Sequence, residues 1–232
     1  MRRLILVALL VTTLLAQERL NISARPSAIQ PGESTTLTWQ TQGQTAFLSG
    51  VGTVPPSGSM VVTPRVSTTY TLVSEGTQRV EFVSTTVAVV GERGGGDADF
   101  PNPRDFPEGL SGQRHSIRYT TFLDLAFKTL QDQMKFRVNS LHAPHDPFYV
   151  FITDRQPRPD LVHASDRGIR SRRLAYEVQI FDPKNAASAI PFEVKAILEY
   201  QRLGEAAWHF ETNEELTREA LAQLKQTLDT SP

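Results

Sequence analysis

The hydrophobic period of this chain changes once, and that change constrains its architecture more than any single motif does. Up to about residue 90, apolar side chains recur at every second position. Thr36-Leu37-Thr38-Trp39-Gln40, Tyr70-Thr71-Leu72-Val73 and Val83 to Val90 all alternate, separated by Pro31-Gly32, Ser49-Gly50, Pro55-Pro56-Ser57-Gly58 and Glu75-Gly76. Short period-2 runs at roughly 8–12-residue spacing, with no helical stretch, predict a β-sandwich with Trp39 filling the space between its sheets.

From Tyr119 the period becomes three and four. Tyr119, Phe122, Leu123, Ala126, Phe127, Leu130 and Met134 form the stripe of an amphipathic helix ending near Gln133. Met134, Phe136 and Val138 then predict a strand that follows directly, and Phe148 to Ile152 a buried one. Leu174 to Phe181 and Phe192 to Tyr200 read as two more, joined by a turn at Asp182-Pro183-Lys184-Asn185. Arg202-Leu203-Gly204-Glu205 reads as a tight hairpin leading to Trp208-His209-Phe210. Asn213 and the acidic pair Glu214-Glu215 open a last helix with Leu216, Ala220, Leu221, Leu224 and Leu228 on one face. The order of elements predicts a two-layer α+β domain, an antiparallel sheet with N- and C-terminal helices.

The halves also differ in charge. Residues 17–91 carry only eight charges, which sum to zero, whereas residues 92–232 carry a net of -3. Between them lie Gly94-Gly95-Gly96 and the prolines at 101, 103 and 107, which predict a flexible, extended joint. The expected organisation is therefore a leader at 1–16, a sandwich at 17–90, a Gly/Pro-rich linker at 91–112 and an α+β domain at 113–232. The leader is read from Met1-Arg2-Arg3, the uncharged run Leu4 to Leu15, and Ala16 before Gln17-Glu18-Arg19. Twelve residues fall short of the roughly 20 that span a bilayer, so the pattern is that of an export signal, with no membrane span once it is cleaved; Leu14, bulky where a cleavage site wants a small residue, leaves an uncleaved anchor as the alternative.

In the first half the residues carry a resemblance. Ile29-x-Pro31-Gly32-x-Ser34-x-Thr36-Leu37-x-Trp39, Gly50-x-Gly52-x-Val54, Ser57-Gly58-Ser59, Val62-x-Pro64 and Thr68-Thr69-Tyr70-Thr71-Leu72 occur in order. Together they resemble the bacterial immunoglobulin-like modules of exported and cell-surface proteins. The resemblance covers about 70 residues and implies a spacer, docking or adhesion module, with Trp39 and Tyr70 as core. Such modules lack the disulfide of antibody domains, in keeping with a chain that has no cysteine. Their edge strands allow pairing between copies.

Composition excludes several functions. Lys+Arg and Asp+Glu number 24 and 25, so no basic field draws the chain to nucleic acid. The missing cysteine removes thiolate catalysis, Cys-ligated zinc and iron–sulfur clusters. The only glycine run lies in the linker and opens no helix, so no phosphate-binding loop and no cofactor are predicted. Between 154 and 173 six arginines meet only Asp154, Asp160 and Asp166, in a long connection without clear secondary structure. Guanidinium forks suit carboxylates and phosphates, which makes Arg167, Arg170, Arg172 and Arg173 the candidate contacts for an envelope protein or polymer. His142, His145 and Asp146 are a weaker candidate for a metal, because Pro144 breaks any helix that would align them.

These readings predict an exported, non-catalytic binding or assembly protein of the cell envelope, in the periplasm or at the outer-membrane periphery. The alternative is a periplasmic hydrolase carrying an accessory immunoglobulin-like module. It requires His142, His145 and Asp146 to meet His163 or Asp166 in a cleft, with Ser165 or Ser171 available as nucleophile.

Overall fold

The computed structural model describes residues 20–42, 45–76, 79–91, 100–143, 146–183 and 188–230. The leader at 1–16, Gly94–Gly96 and His145 lie outside them. The described chain is mostly β-sheet, in several sheets with two α-helices and no barrel.

The first half contributes eight strands: β1 (Asn21–Arg25), β2 (Ala28–Ile29), β3 (Thr35–Gln40), β4 (Ala46–Leu48), β5 (Gly52–Val54), β6 (Ser57–Val62), β7 (Thr68–Glu75) and β8 (Val80–Val89). They form a three-stranded sheet in the order β1-β3-β6 and a five-stranded sheet in the order β2-β8-β7-β4-β5. The two share one core, in which Ile22, Leu37 and Trp39 from the first sheet meet Ala46, Leu48, Tyr70, Leu72 and Val87 from the second. Trp39 is buried as its mid-strand position predicts, and its indole N–H donates to the Pro55 carbonyl at 3.0 Å.

The second half opens with β9 (Leu110–Arg114) and α1 (Tyr119–Lys128), which runs into a π-helical turn at Thr129–Gln133. Then come β10 (Val138–Leu141), β11 (Phe148–Thr153), β12 (Gln156–Pro157), β13 (Ile169–Phe181), β14 (Ile190–Arg202), β15 (His209–Phe210) and α2 (Glu214–Thr230). These strands form one antiparallel sheet, β10-β11-β13-β14-β15, with β12 beside β13 and β9 beside β14. The helices pack on one face of it, where Phe122, Leu123 and Phe127 of α1 and Leu221, Leu224 and Leu228 of α2 join Tyr176, Val178 and Val194. Asn213 caps α2 as its position predicts, its Oδ1 accepting from the amides of Glu215 (3.0 Å) and Leu216 (3.3 Å).

Three sequence expectations are corrected. The strand expected from Met134 starts at Val138, because Lys135 takes a φ of +63° and the Phe136 amide turns back onto the Leu130 carbonyl. The linker expected through 112 is structured from Phe100. Phe100 and Phe106 cover the second face of the sheet with Val150, Ile152, Ala175 and Ile197, and Leu110 already pairs with Val194. The halves, expected to be held apart by a flexible, extended joint, share a core. The side chains of Phe47 on β4 and Val73 on β7 point away from the core shared by the first two sheets and enter the core of the second half. Phe47 meets Phe127, Tyr149 and Phe151 edge-on, with ring centroids 6.0, 5.9 and 5.9 Å away.

Candidate functional site

The six arginines of residues 154–173 divide into those folded inward and those left at a tip. They do not share a long loop. The segment contains β12 and a 3₁₀ turn at Pro159–Leu161, and β13 begins at Ile169, five residues before the expected Leu174. Arg170, Arg172 and Arg173 are therefore strand residues, and strand alternation sorts them.

Arg172 lies on the helix-facing side of β13 and is only 3% exposed. Its Nε donates to Glu211 Oε2 at 2.9 Å, and its Nη1 donates to the Leu161 carbonyl at 2.6 Å and to the Asp166 carboxylate. This corrects Arg172 as a candidate contact, since a guanidinium so enclosed does not reach a partner. Arg173, on the opposite face, bonds Glu199 together with Arg155 and stacks 4.1 Å over the Trp208 ring. Its guanidinium is thus held by an anion and an aromatic face at once. Arg158 forms an ion pair with Asp160 at 2.6 Å.

Arg167 and Arg170 remain. The β13–β14 register shifts between Ile169 and Ser171, which leaves Arg170 as the extra residue of a bulge. The Leu203 amide donates to the Gly168 carbonyl at 2.8 Å, joining the turn before β13 to the turn after β14. Gly168 and Gly204 make both turns possible at φ of +86° and +84°. The outcome is a tip with Arg167, Arg170, Arg202 and Leu203 all exposed, Leu203 at 75%. Among the described residues Arg167 and Arg170 have no ion-pair partner, and Arg202 reaches Glu205 only at 4.0 Å. Arg202 and Leu203 were not among the residues expected in the site. The available signal was a leucine placed in a glycine turn between charged residues.

The histidines do not converge. His142 packs its ring on Phe82 with centroids 3.8 Å apart, and its Nδ1 lies 3.0 Å from the Phe148 carbonyl. It serves the contact between the halves. Asp146 is exposed, and its amide donates to the Ala143 carbonyl. Among the described residues no three His, Asp or Glu side chains are grouped to hold a metal. His163 and Asp166 meet through the His163 backbone amide at 2.8 Å, not through the imidazole. The Arg172 guanidinium, and after it that amide, hold the Asp166 carboxyl below its usual range. Asp166 precedes one end of β13 and His142 abuts the other, so about 40 Å of extended strand separates the two groups. The hydrolase arrangement is not assembled by the described residues.

A groove of about 600 Å³ runs between Pro107–Leu110 and the start of α2, lined by Glu108, Glu211, Glu214 and Arg218, the last two paired along the helix at 3.7 Å. Its sign is opposite to that of the tip. Among the described residues no helix is long and apolar enough to cross a membrane. Comparison of the chain with protein-family models, with curated proteins and with solved structures finds no match in any of the three.

Proposed function

We propose that this chain is an exported, non-catalytic binding or assembly protein of the bacterial cell envelope. Residues 17–90 form an immunoglobulin-like module that acts as spacer or docking unit, and the α+β half engages an anionic protein or polymer. The observation that carries the reading is the tip of the β13–β14 ribbon, where Leu203 is 75% exposed and framed by Arg167, Arg170 and Arg202. An exposed apolar residue inside a basic collar suits a partner that offers carboxylates or phosphates around an apolar contact. A rigid ribbon also presents these groups at low ordering cost, because Arg172 and its three partners fix its base. The immunoglobulin-like reading draws support from the facing three- and five-stranded sheets with Trp39 between them. Export rests on the leader pattern alone.

The test is in-cell crosslinking of the tagged protein, followed by envelope fractionation and recovery of the partner. Replacing Arg167 and Arg170 together with Gln should reduce capture about tenfold at low salt, equivalent to about 1.4 kcal/mol, and flatten its salt dependence. Leu203→Ser should weaken capture while leaving the salt slope intact. Capture unchanged in both variants would remove the tip from the account, and a protein recovered free of any envelope partner would remove the reading itself.

A further inference from the structure

A sheet edge offers unpaired backbone groups, and several edges of this molecule are covered or guarded. At β5 the Thr53 amide donates to Asp124 Oδ1 of α1 at 2.9 Å. Helix and strand are so close there that a Cβ on Gly52 would lie 2.8 Å from the same oxygen. On β10 the Ser140 amide is taken by the Asn139 side chain at 3.0 Å. β9 lies under α2, to which Arg114 is bonded at the Leu228 and Asp229 carbonyls. β1, one end of the three-stranded sheet, carries the exposed charge of Arg25 and runs on into β2, which crosses to the other sheet beside β8. β6 forms the other end of the three-stranded sheet, and among the described residues nothing pairs with its outer side.

The sequence of β6, Ser-Gly-Ser-Met-Val-Val, contains neither the charge nor the proline that usually guards an open edge. Because the Pro56 carbonyl accepts from the Thr41 amide, alternation turns the backbone of Gly58, Met60 and Val62 toward β3. The N–H and C=O groups of Ser57, Ser59 and Val61 then face outward. Val61 is 66% exposed and Met60 38%. No charged residue occurs anywhere from Ser34 to Pro64, so neither β6 nor its neighbour β3 carries a charge.

We propose that β6 pairs antiparallel with β6 of a second copy of this chain, about a two-fold axis at Ser59. A neutral edge brings no like charges together on self-pairing and offers a charged partner no counter-charge, which favours a second copy as occupant. The register is self-complementary: Ser57 falls opposite Val61, and Gly58 opposite Met60. Gly58 is where the Trp39 ring comes closest to the edge, since a Cβ there would sit 2.7 Å from it. Each Met60 thioether is therefore laid beside the indole of the opposite copy, a favourable sulfur–aromatic contact. This pairing is independent of the arginine tip, which lies on the other half.

The chain has no cysteine, so single-cysteine variants give an unambiguous readout. Residues 1–16 contribute no described element, and the protein from Gln17 to Pro232 is used. Under mild oxidation Ser59→Cys should form a covalent dimer at least about tenfold faster than Ala222→Cys on the exposed side of α2, because paired antiparallel strands hold opposite Cα atoms about 5.5 Å apart. In sedimentation velocity the wild-type protein should shift toward a dimer as concentration rises. Ser59→Pro, which removes only an outward-facing amide, should abolish that shift while circular dichroism stays unchanged. Equal oxidation rates for the two cysteine variants, or a wild-type protein that stays monomeric at every concentration, would overturn the proposal. A concentration-dependent shift retained in Ser59→Pro would do the same.

Discussion

The two sheets of the first half are built from similar residues and buried in different ways. In the three-stranded sheet one face meets the core and the other meets solvent, and β3 alternates buried Leu37 and Trp39 with the more exposed Thr36, Thr38 and Gln40. In the five-stranded sheet both faces are covered where β4 and β7 run. Ala46, Phe47 and Leu48 are all buried, as are the five consecutive residues Tyr70 to Ser74. The second half supplies the missing cover. A strand buried on both faces loses its alternation, and that loss is the trace a docked neighbour leaves on a sequence. Thr71 on the covered strand β7 is satisfied locally: its hydroxyl bonds the Ser84 hydroxyl at 2.9 Å, and its amide donates to Ser49 Oγ at 2.9 Å.

The largest expected effect follows from Phe47. Truncating it to Ala should cost about 3–5 kcal/mol, the usual range for a fully buried phenylalanine. The two tryptophans make the result diagnostic, because Trp39 lies in the first core and Trp208 on the second half. Denaturation followed by Trp39 in a Trp208→Phe background, and by Trp208 in a Trp39→Phe background, should give coincident transitions if the halves unfold as one unit. Phe47→Ala should then lower both midpoints together. A midpoint that moves in only one probe would break the comparison, since the covered face would not couple the halves.

A smaller effect is expected at Asp124, which joins the covered sheet to α1 through the Thr53 amide and also holds Lys128 at 2.7 Å. Asp124→Ala should cost about 1 kcal/mol, the typical net worth of a hydrogen bond, with the exposed ion pair adding little. Hydrogen exchange should show faster exchange of the Thr53 amide while amides of β3 keep their protection. Uniform loss of protection over both sheets would mean that Asp124 acts on global stability and does not guard the β5 edge.

Much of this fold was legible in the sequence because its signals are local. The α2 stripe with its Asn213 cap, the buried Trp39 and the run Phe148 to Ile152 all follow from spacing and capping over a few residues. What was not legible depends on partners far along the chain. Val73 reads as an ordinary strand residue, and Phe47 falls in none of the alternating runs, until the second half is packed against them. Phe100 and Phe106 sit among prolines that signal a tether, yet their rings close the back of the sheet. The arginines show the same limit. Composition located the cluster, but the strand phase that buries Arg172 and the bulge that turns out Arg170 depend on pairing with β14.

The last expectation sharpens the comparison at the end of β7, where Glu75 carries charge onto the covered face. Its Oε2 accepts from the Thr120 amide at 3.3 Å and hydroxyl at 3.4 Å, an N-terminal cap for α1 supplied from the other half. Burial nevertheless raises its carboxyl above the usual value near 4.5, against the opposing pull of Thr120 and Arg118. The folded chain then holds a proton that the unfolded chain has released, so this group's contribution is fully present below about pH 4.5 and is lost as pH rises through the raised value. Glu75→Gln keeps an oxygen to accept from Thr120 and removes the charge. The variant should match the wild type near pH 4 and exceed it modestly at pH 7, by less than the cost of Asp124→Ala, when unfolding midpoints are compared across that range. A variant less stable than the wild type at pH 7 would mean that attraction to the α1 N-terminus and Arg118 outweighs burial, and that the covered face tolerates a charge as readily as the open one does.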